Sequence, residues 1–279
     1  MTIPGGMDPS LRLPRILCLH GGGTNSRIFS AQCRIVRRHL EGSFRLVFAD
    51  GPYLCDPGPD VTSVYADWGP FRSWIKSQPE AVAEGASPFA TPPRWINAVV
   101  MPVHEEAPVE VIRDIDSCLS AAMQSDDRAG ATGEWVGLLG FSQGARMAAS
   151  LLLRAQSRMV RTRGRAEFGF AVVLAGSGPL VALDPECEAL FGREDEIGGP
   201  LLWLPTVHMH GLRDGGLAIH RDLLDRCCFG ESAAVVEWDG DHRVPIKTEH
   251  VAALVSALMD AYRRSRTSSA AVRINATRG

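Results

Sequence analysis

The chain has 279 residues and a mass of 30.2 kDa, with 45% hydrophobic and 22% charged residues. That is globular composition, long enough to bury a large core, and it excludes disorder for the bulk of the chain. Lys and Arg number 29 against 32 Asp and Glu, a net charge of -3, so no broad positive field exists to hold nucleic acid or an anionic membrane. The cysteines number 7 and form no C-x-x-C pair, which argues against a disulfide framework or a structural zinc site and for a reducing compartment. No run approaches the roughly 18 apolar residues of a membrane span, and the first residues lack the apolar stretch of a secretory signal. The expectation is a soluble, cytoplasmic protein.

In chain order, Arg15 to Leu19 is a short apolar run that stops at His20-Gly21-Gly22-Gly23, the pattern of a buried strand ending in a permissive turn. Ile28 to Leu40 carries helical spacing, and Phe44 to Ala49 reads as a second strand closed by Asp50-Gly51-Pro52. Periodicity then fails from Gly51 to about Glu106, where prolines recur from Pro52 to Pro102. This stretch also holds Tyr53, Tyr65, Trp68, Phe71, Trp74, Phe89 and Trp95. A segment this long and aromatic reads as a lid-like insertion, with Tyr53, Trp68, Phe71, Trp74 and Trp95 as candidate substrate-binding residues. Any one of these rings can equally serve to hold the insertion together.

Regular pattern returns with a helix from about Ala107 to Gln124, a strand at Trp135 to Leu139, a helix from Gln143 to about Arg158 and a strand at Phe168 to Ala175. After an irregular piece from Gly176 to Pro205 come a strand at Thr206 to His210, a helix near Leu217 to Cys228, a strand at Ala233 to Trp238 and a helix from Val244 to Arg263. Repeated strand-helix units with near-continuous apolar strands predict an α/β fold, a mainly parallel sheet covered by helices on both faces. A single domain over 1–264 is expected, with 51–106 as the inserted lid and 265–279 as a disordered tail.

Gly140-Phe141-Ser142-Gln143-Gly144 is a G-x-S-x-G sequence lying between a strand and a helix. A serine on such a tight turn is lifted out of the sheet, and glycines two positions to either side remove side chains that would collide. Ser142 is thus the candidate nucleophile. The Gln143 N–H, at the start of the following helix, can stabilise negative charge on an attacked carbonyl. A second oxyanion donor is expected from the glycine loop after the first strand, Gly22 first and Gly23 second. A phosphate-cradling role for that loop lacks the Lys-Ser/Thr of a P-loop.

Serine needs a base oriented by a carboxylate. Asp214 follows the strand TVHMH and His242 follows the last strand, so both are delivered to the sheet edge that carries Ser142, in the order Ser, Asp, His. Asp239 and Asp241 lie beside His242, but immediate neighbours seldom face the same ring, which favours Asp214. His208 and His210 with Asp214 form a rival H-x-H cluster; period two puts both rings on one face, yet no third ligand has sensible spacing, and core histidines are the simpler account. Arg154, Arg158, Arg161, Arg163 and Arg165 crowd one helix end, either as a dock for an acidic partner or as a solvated terminus.

The segments ILCLHGGGTN, FADGP, GPFRSW, GFSQGARMA, MHGLRD and GDHRVP, in that order, together resemble the fungal serine hydrolase family, a branch of the α/β-hydrolases. The resemblance implies that fold and carries the catalytic triad onto Ser142, Asp214 and His242. It also implies the substrate class: an ester or acyl thioester, as for the esterases and thioesterases of fungal secondary metabolism, some of which free a polyketide chain. An acyl carrier protein or polyketide synthase is then the expected partner, and no metal or organic cofactor is needed. The alternatives are a general carboxylesterase with the same machinery, or a non-catalytic binding protein that would have no use for all three residues.

Overall fold

Six strands assemble one parallel sheet: β1 (Arg15–Leu19), β2 (Arg45–Ala49), β6 (Trp135–Phe141), β7 (Phe170–Leu174), β9 (Thr206–Gly211) and β10 (Ala233–Trp238), in spatial order β10-β9-β7-β6-β1-β2. The computed structural model describes residues 8–58, 61–76, 104–184 and 202–276. Between these strands lie α1 (Ser26–Gln32), α2 (Arg34–Leu40), the antiparallel pair β3 (Tyr53–Leu54) and β4 (Arg72–Ser73), and the short α3 (Thr62–Tyr65). They are followed by β5 (His104–Glu106), α4 (Val109–Arg128), α5 (Gln143–Thr162), β8 (Leu180–Ala182), α6 (Leu217–Cys227) and α7 (Thr248–Ala276). No helix among the described residues is long and apolar enough to cross a membrane.

Side chains alternate across the strands, so each strand feeds two cores. Leu17 and Leu19 of β1 and Ala171 and Val173 of β7 face a layer built with α4, α5 and α6, through Ile115, Met147, Leu151 and Leu223. Ile16, Cys18, Phe170 and Val172 face the opposite layer, completed by Val36 and Leu40 of α2 and by Val251, Leu254 and Leu258 of α7. Burial on both faces explains why these strands read as unbroken apolar runs.

Three expectations are corrected. The helix foreseen over Ile28 to Leu40 is two helices that meet at buried Cys33, with no glycine or proline to mark the break. The irregular piece after Gly176 contains β8, which pairs in parallel with β5. The tail expected from Ser265 instead continues α7 to Ala276. Ser265 is buried against Gly169 and donates to the Tyr262 carbonyl at 2.8 Å, while Arg266 pairs with Glu134 at 2.8 Å. These packed contacts carry the helix past the last clearly periodic residue.

The chain runs from β1 to β2 on one side and from β6 through β7, β9 and β10 on the other, so the direction of winding reverses between β1 and β6. The loops leaving these two neighbours therefore diverge and open a crevice at the carboxyl edge of the sheet, the usual place for a ligand in an open α/β sheet.

Candidate active site

Ser142 occupies the turn between β6 and α5 at φ 54° and ψ -118°, a left-handed backbone rare for a residue with a side chain. The flanking glycines make the turn possible: a Cβ on Gly140 would come within 2.1 Å of the Gly144 carbonyl oxygen, and one on Gly144 within 2.1 Å of the Leu19 oxygen. The Ser142 N–H donates to the Leu174 carbonyl at 2.9 Å, tying the turn to the end of β7. The hydroxyl is left at the crevice rather than capping its own helix.

His242 Nε2 stands 3.0 Å from Ser142 Oγ, and His242 Nδ1 stands 2.7 Å from Asp214 Oδ2. The histidine lies on the loop after β10 and the aspartate on the loop after β9, so three strand ends bring together residues 28 to 100 positions apart. The His242 ring rests against Phe141 at 5.1 Å between centroids and is 45% exposed, whereas the Asp214 side chain is only 3% exposed. Burial pushes the Asp214 carboxyl upward, but hydrogen bonds from His220, His242 and the Gly216 N–H outweigh it and hold the group well below the usual carboxylate range. Asp214 is therefore ionised. Asp239 and Asp241 turn elsewhere, to Arg213 and Arg243.

The glycine loop after β1 sits beside this chain. A Cβ on Gly22 would meet the end of the Gln143 side chain at 3.3 Å, so the loop packs against that side chain. Among the described residues, neither the Gly22 nor the Gln143 N–H has an acceptor. Gly23 is different: its N–H donates to the Arg72 carbonyl at 3.0 Å. The second-choice oxyanion donor is corrected on that ground, since a bonded N–H is not available to a substrate oxygen.

Trp74 is a further correction. It is fully buried; its indole N–H donates to the His20 carbonyl at 2.9 Å and its backbone N–H to Gln143 Oε1 at 2.7 Å. It props the glycine loop and fixes the Gln143 side chain rather than lining a pocket. Tyr53 donates its hydroxyl to Asp114 at 3.0 Å, Trp68 is covered by the Arg27 guanidinium at 4.0 Å, and Phe71 is half-buried beside β4. Trp95 lies outside the described residues. Asn25 accepts from the Ile28 N–H to cap α1 and donates to the carbonyls of Trp68 and Pro70, which ties the insertion to the glycine loop.

The histidines hydrogen-bonded to Asp214 are His220 and His242, not the His208 and His210 of the rival cluster. His208 instead faces Thr206 and Cys228. Asp214, His220 and His242 bring their ligand atoms within 4.8 Å of one another, a spacing their hydrogen bonds account for. His220 is the residue that sequence reasoning missed. The signal available was a lone histidine six positions past the acid, in the first turn of the next helix. Four of the five clustered arginines are paired within the chain: Arg154 with Asp116, Arg158 and Arg161 with Asp184, and Arg165 with Glu134; Arg163 is exposed.

Two histidines near the site make the fold acid-sensitive. Burial lowers His20 from 6.5 to about 4 and His208 from 6.5 to about 3, with the neighbouring His210 adding to the latter. Consistent with a neutral ring, His20 Nε2 accepts from the Gly51 N–H while Nδ1 donates to the Gly21 carbonyl. Below pH 6.5 the unfolded chain binds protons that the folded chain refuses, so stability falls as pH drops toward those values. The loss is about 1.4 kcal/mol per histidine per pH unit. From these two rings alone, denaturant titrations at pH 7.5 and 4.5 should differ by about 5 kcal/mol, and a flat profile across that window would mean that these rings are not buried neutral.

A "Probable esterase" of Aspergillus terreus is 50% identical over 270 residues, covering 92% of this chain and 92% of that protein. "Esterase pigG" of Monascus ruber is 49% identical over 274 residues, covering 91% and 93%. Among solved structures, a carboxylesterase from Mesorhizobium loti is 15% identical with a TM-score of 0.47, covering 88% of each chain. The model of the family described as "Serine hydrolase (FSH1)" matches residues 9–254, a span that includes every strand of the main sheet and all three residues of the hydrogen-bonded chain. On that match, and with a parallel sheet flanked by helices beneath it, the protein is an enzyme that belongs to the serine hydrolase (FSH1) family.

Proposed function

We propose that the enzyme cleaves an ester or thioester through an acyl-enzyme on Ser142, with His242 as base and Asp214 as its orienting carboxylate. The observation that carries this reading is the continuous chain from Ser142 Oγ through His242 to ionised Asp214 on a strained, glycine-flanked turn. Ser142 Oγ attacks the carbonyl carbon while His242 Nε2 takes its proton. The oxyanion is met by the N–H groups of Gln143 and Gly22. On collapse the carbonyl re-forms, the bond to the leaving oxygen or sulfur breaks, and His242 returns the proton to that group. Water then repeats the sequence in the second half: His242 removes its proton, the acyl–Ser142 bond breaks, and the serine regains its hydrogen. Asp214 stays ionised throughout and stabilises the imidazolium that forms in each half.

The similar proteins of Aspergillus and Monascus are named esterases, which supports ester hydrolysis; the resemblance of the sequence motifs extends this reading to fungal secondary metabolism, with a polyketide acyl group as substrate. In this reading the 51–106 insertion covers the acyl chain. Of the arginines first singled out as a carrier-protein dock, Arg154, Arg158 and Arg161 are paired with Asp116 and Asp184 and Arg165 with Glu134, so in this reading selectivity rests first on the acyl group and the leaving atom. The esterase names favour a second reading, hydrolysis of oxygen esters in general. Matched pairs of oxygen ester and thioester carrying the same aromatic or aliphatic acyl group separate the two. The expected result is faster turnover of aromatic polyketide-like thioesters, with acyl mass on Ser142 in rapid-quench intact-protein spectra. Equal rates on simple aliphatic oxygen esters would establish the general esterase, and no acyl-enzyme on any pair would remove the mechanism.

A further inference from the structure

His220 sits in the first turn of α6, 2% exposed, with both ring nitrogens in contact with oxygen. Nδ1 lies 2.8 Å from the Gly176 carbonyl and Nε2 lies 3.1 Å from Asp214 Oδ2. Neither oxygen carries a hydrogen: a peptide carbonyl only accepts, and an ionised carboxylate only accepts. A neutral imidazole has a single N–H and would leave a lone pair facing one of these oxygens in a buried site, a repulsive contact. Both contacts become hydrogen bonds only if the ring carries two protons.

We propose that His220 is a positioning residue held as an imidazolium, clamping Asp214 Oδ2 alongside His242 and offsetting its charge. This rests on the reading of Ser142, Asp214 and His242 given above. The clamp is seated from below by the Gly216 turn, whose N–H donates to Asp214 Oδ1 at 2.8 Å. The same carboxylate oxygen thus accepts from two rings, whose centroids are 5.8 Å apart. The other titratable or charged groups packed around His220 are His210 on β9, at 6.2 Å between ring centroids, and beyond it Glu237 on β10 and Arg221 on α6. Glu237 and Arg221 pair with each other at 2.7 Å, so they bring little net charge. His210 is lowered to about 4, first by burial and then by His220, and is neutral at working pH.

The consequence falls on His242. In the transition states His242 becomes an imidazolium beside a carboxylate whose charge is already shared, so it gives up its proton to the leaving group more readily. It also stays a competent base at lower pH than it would beside Asp214 alone. The Gln variant separates charge from hydrogen bonding, because an amide N–H can still donate to Asp214 but carries no charge.

Two measurements test this. With histidine ring nitrogens isotopically labelled in the unsubstituted protein, NMR at pH 7 should show one ring with both nitrogens protonated. That signal should be absent in H220Q, which assigns it. In pH profiles, the acid limb of kcat/KM should move to higher pH by about one unit in H220Q, with KM on the plateau changed by less than about twofold. A structural role alone would lower activity without moving the limb. A His220 ring with one proton, or an acid limb left in place by H220Q, overturns the proposal. Fluorophosphonate labelling of Ser142 keeps the two levels apart: labelling retained alongside a singly protonated His220 ends this inference only, while no labelling in the unsubstituted protein ends the reading on which it rests.

Discussion

Replacing Ser142 with alanine should lower kcat by on the order of a million-fold and abolish covalent labelling by a fluorophosphonate. The size of the effect follows from the nucleophile being one part of a unit. Without Oγ, His242 has no proton to take, and what remains is substrate binding beside the N–H groups of Gln143 and Gly22. The substitution should also relieve strain little, because alanine keeps a Cβ in the left-handed backbone that Ser142 adopts at φ 54°. Folding is therefore expected to survive, and circular dichroism together with Tm shows whether lost activity is lost chemistry. Labelling that persists on a different serine would place the nucleophile elsewhere.

The second large effect is expected at Asp214. Changing it to asparagine should cost about 10⁴-fold in kcat, through loss of the charge that stabilises the His242 imidazolium and of the acceptor that fixes its tautomer. An asparagine oriented by the Gly216 N–H would keep its oxygen there and turn its NH2 toward His242 and His220, both of which need an acceptor. The neighbouring carboxylates provide the control. Asp241 and Asp239 are more than half exposed and pair with Arg243 and Arg213, so asparagine at either should alter kcat by less than about threefold. Steady-state kinetics on one ester across the three variants decides the assignment, and the reverse ranking would transfer the role of the acid to the loop beside the base.

How far the site could be read beforehand depends on the range of the interaction concerned. The turn around Ser142 was legible because its constraint is local: a strand, a helix and two glycines within five residues leave the backbone few other conformations. Asp214 and His242 were legible by topology, since parallel strands deliver the loops at their carboxyl ends to one edge. The break at Cys33 and the continuation of α7 past Ser265 were not, because neither has a local marker; contacts with residues far away in the chain decide both. The aromatic insertion was legible as composition only. That Trp74 is a buried prop under the glycine loop, and not an open wall, depends on a hydrogen bond to His20, 54 positions away.

By itself, the order of residues determined the alternation of strands and helices, the strained serine turn, and the sheet edge at which chemistry collects, since periodicity and backbone sterics act between near neighbours. Only the tertiary structure decided that Gly22 and not Gly23 keeps an open N–H, that four of the five clustered arginines pair with carboxylates of this chain, and that His220 reaches Asp214 alongside His242. Each of those outcomes turns on which donor meets which acceptor across the fold, and hydrogen bonds between distant segments are set by packing geometry that no short stretch of chain encodes.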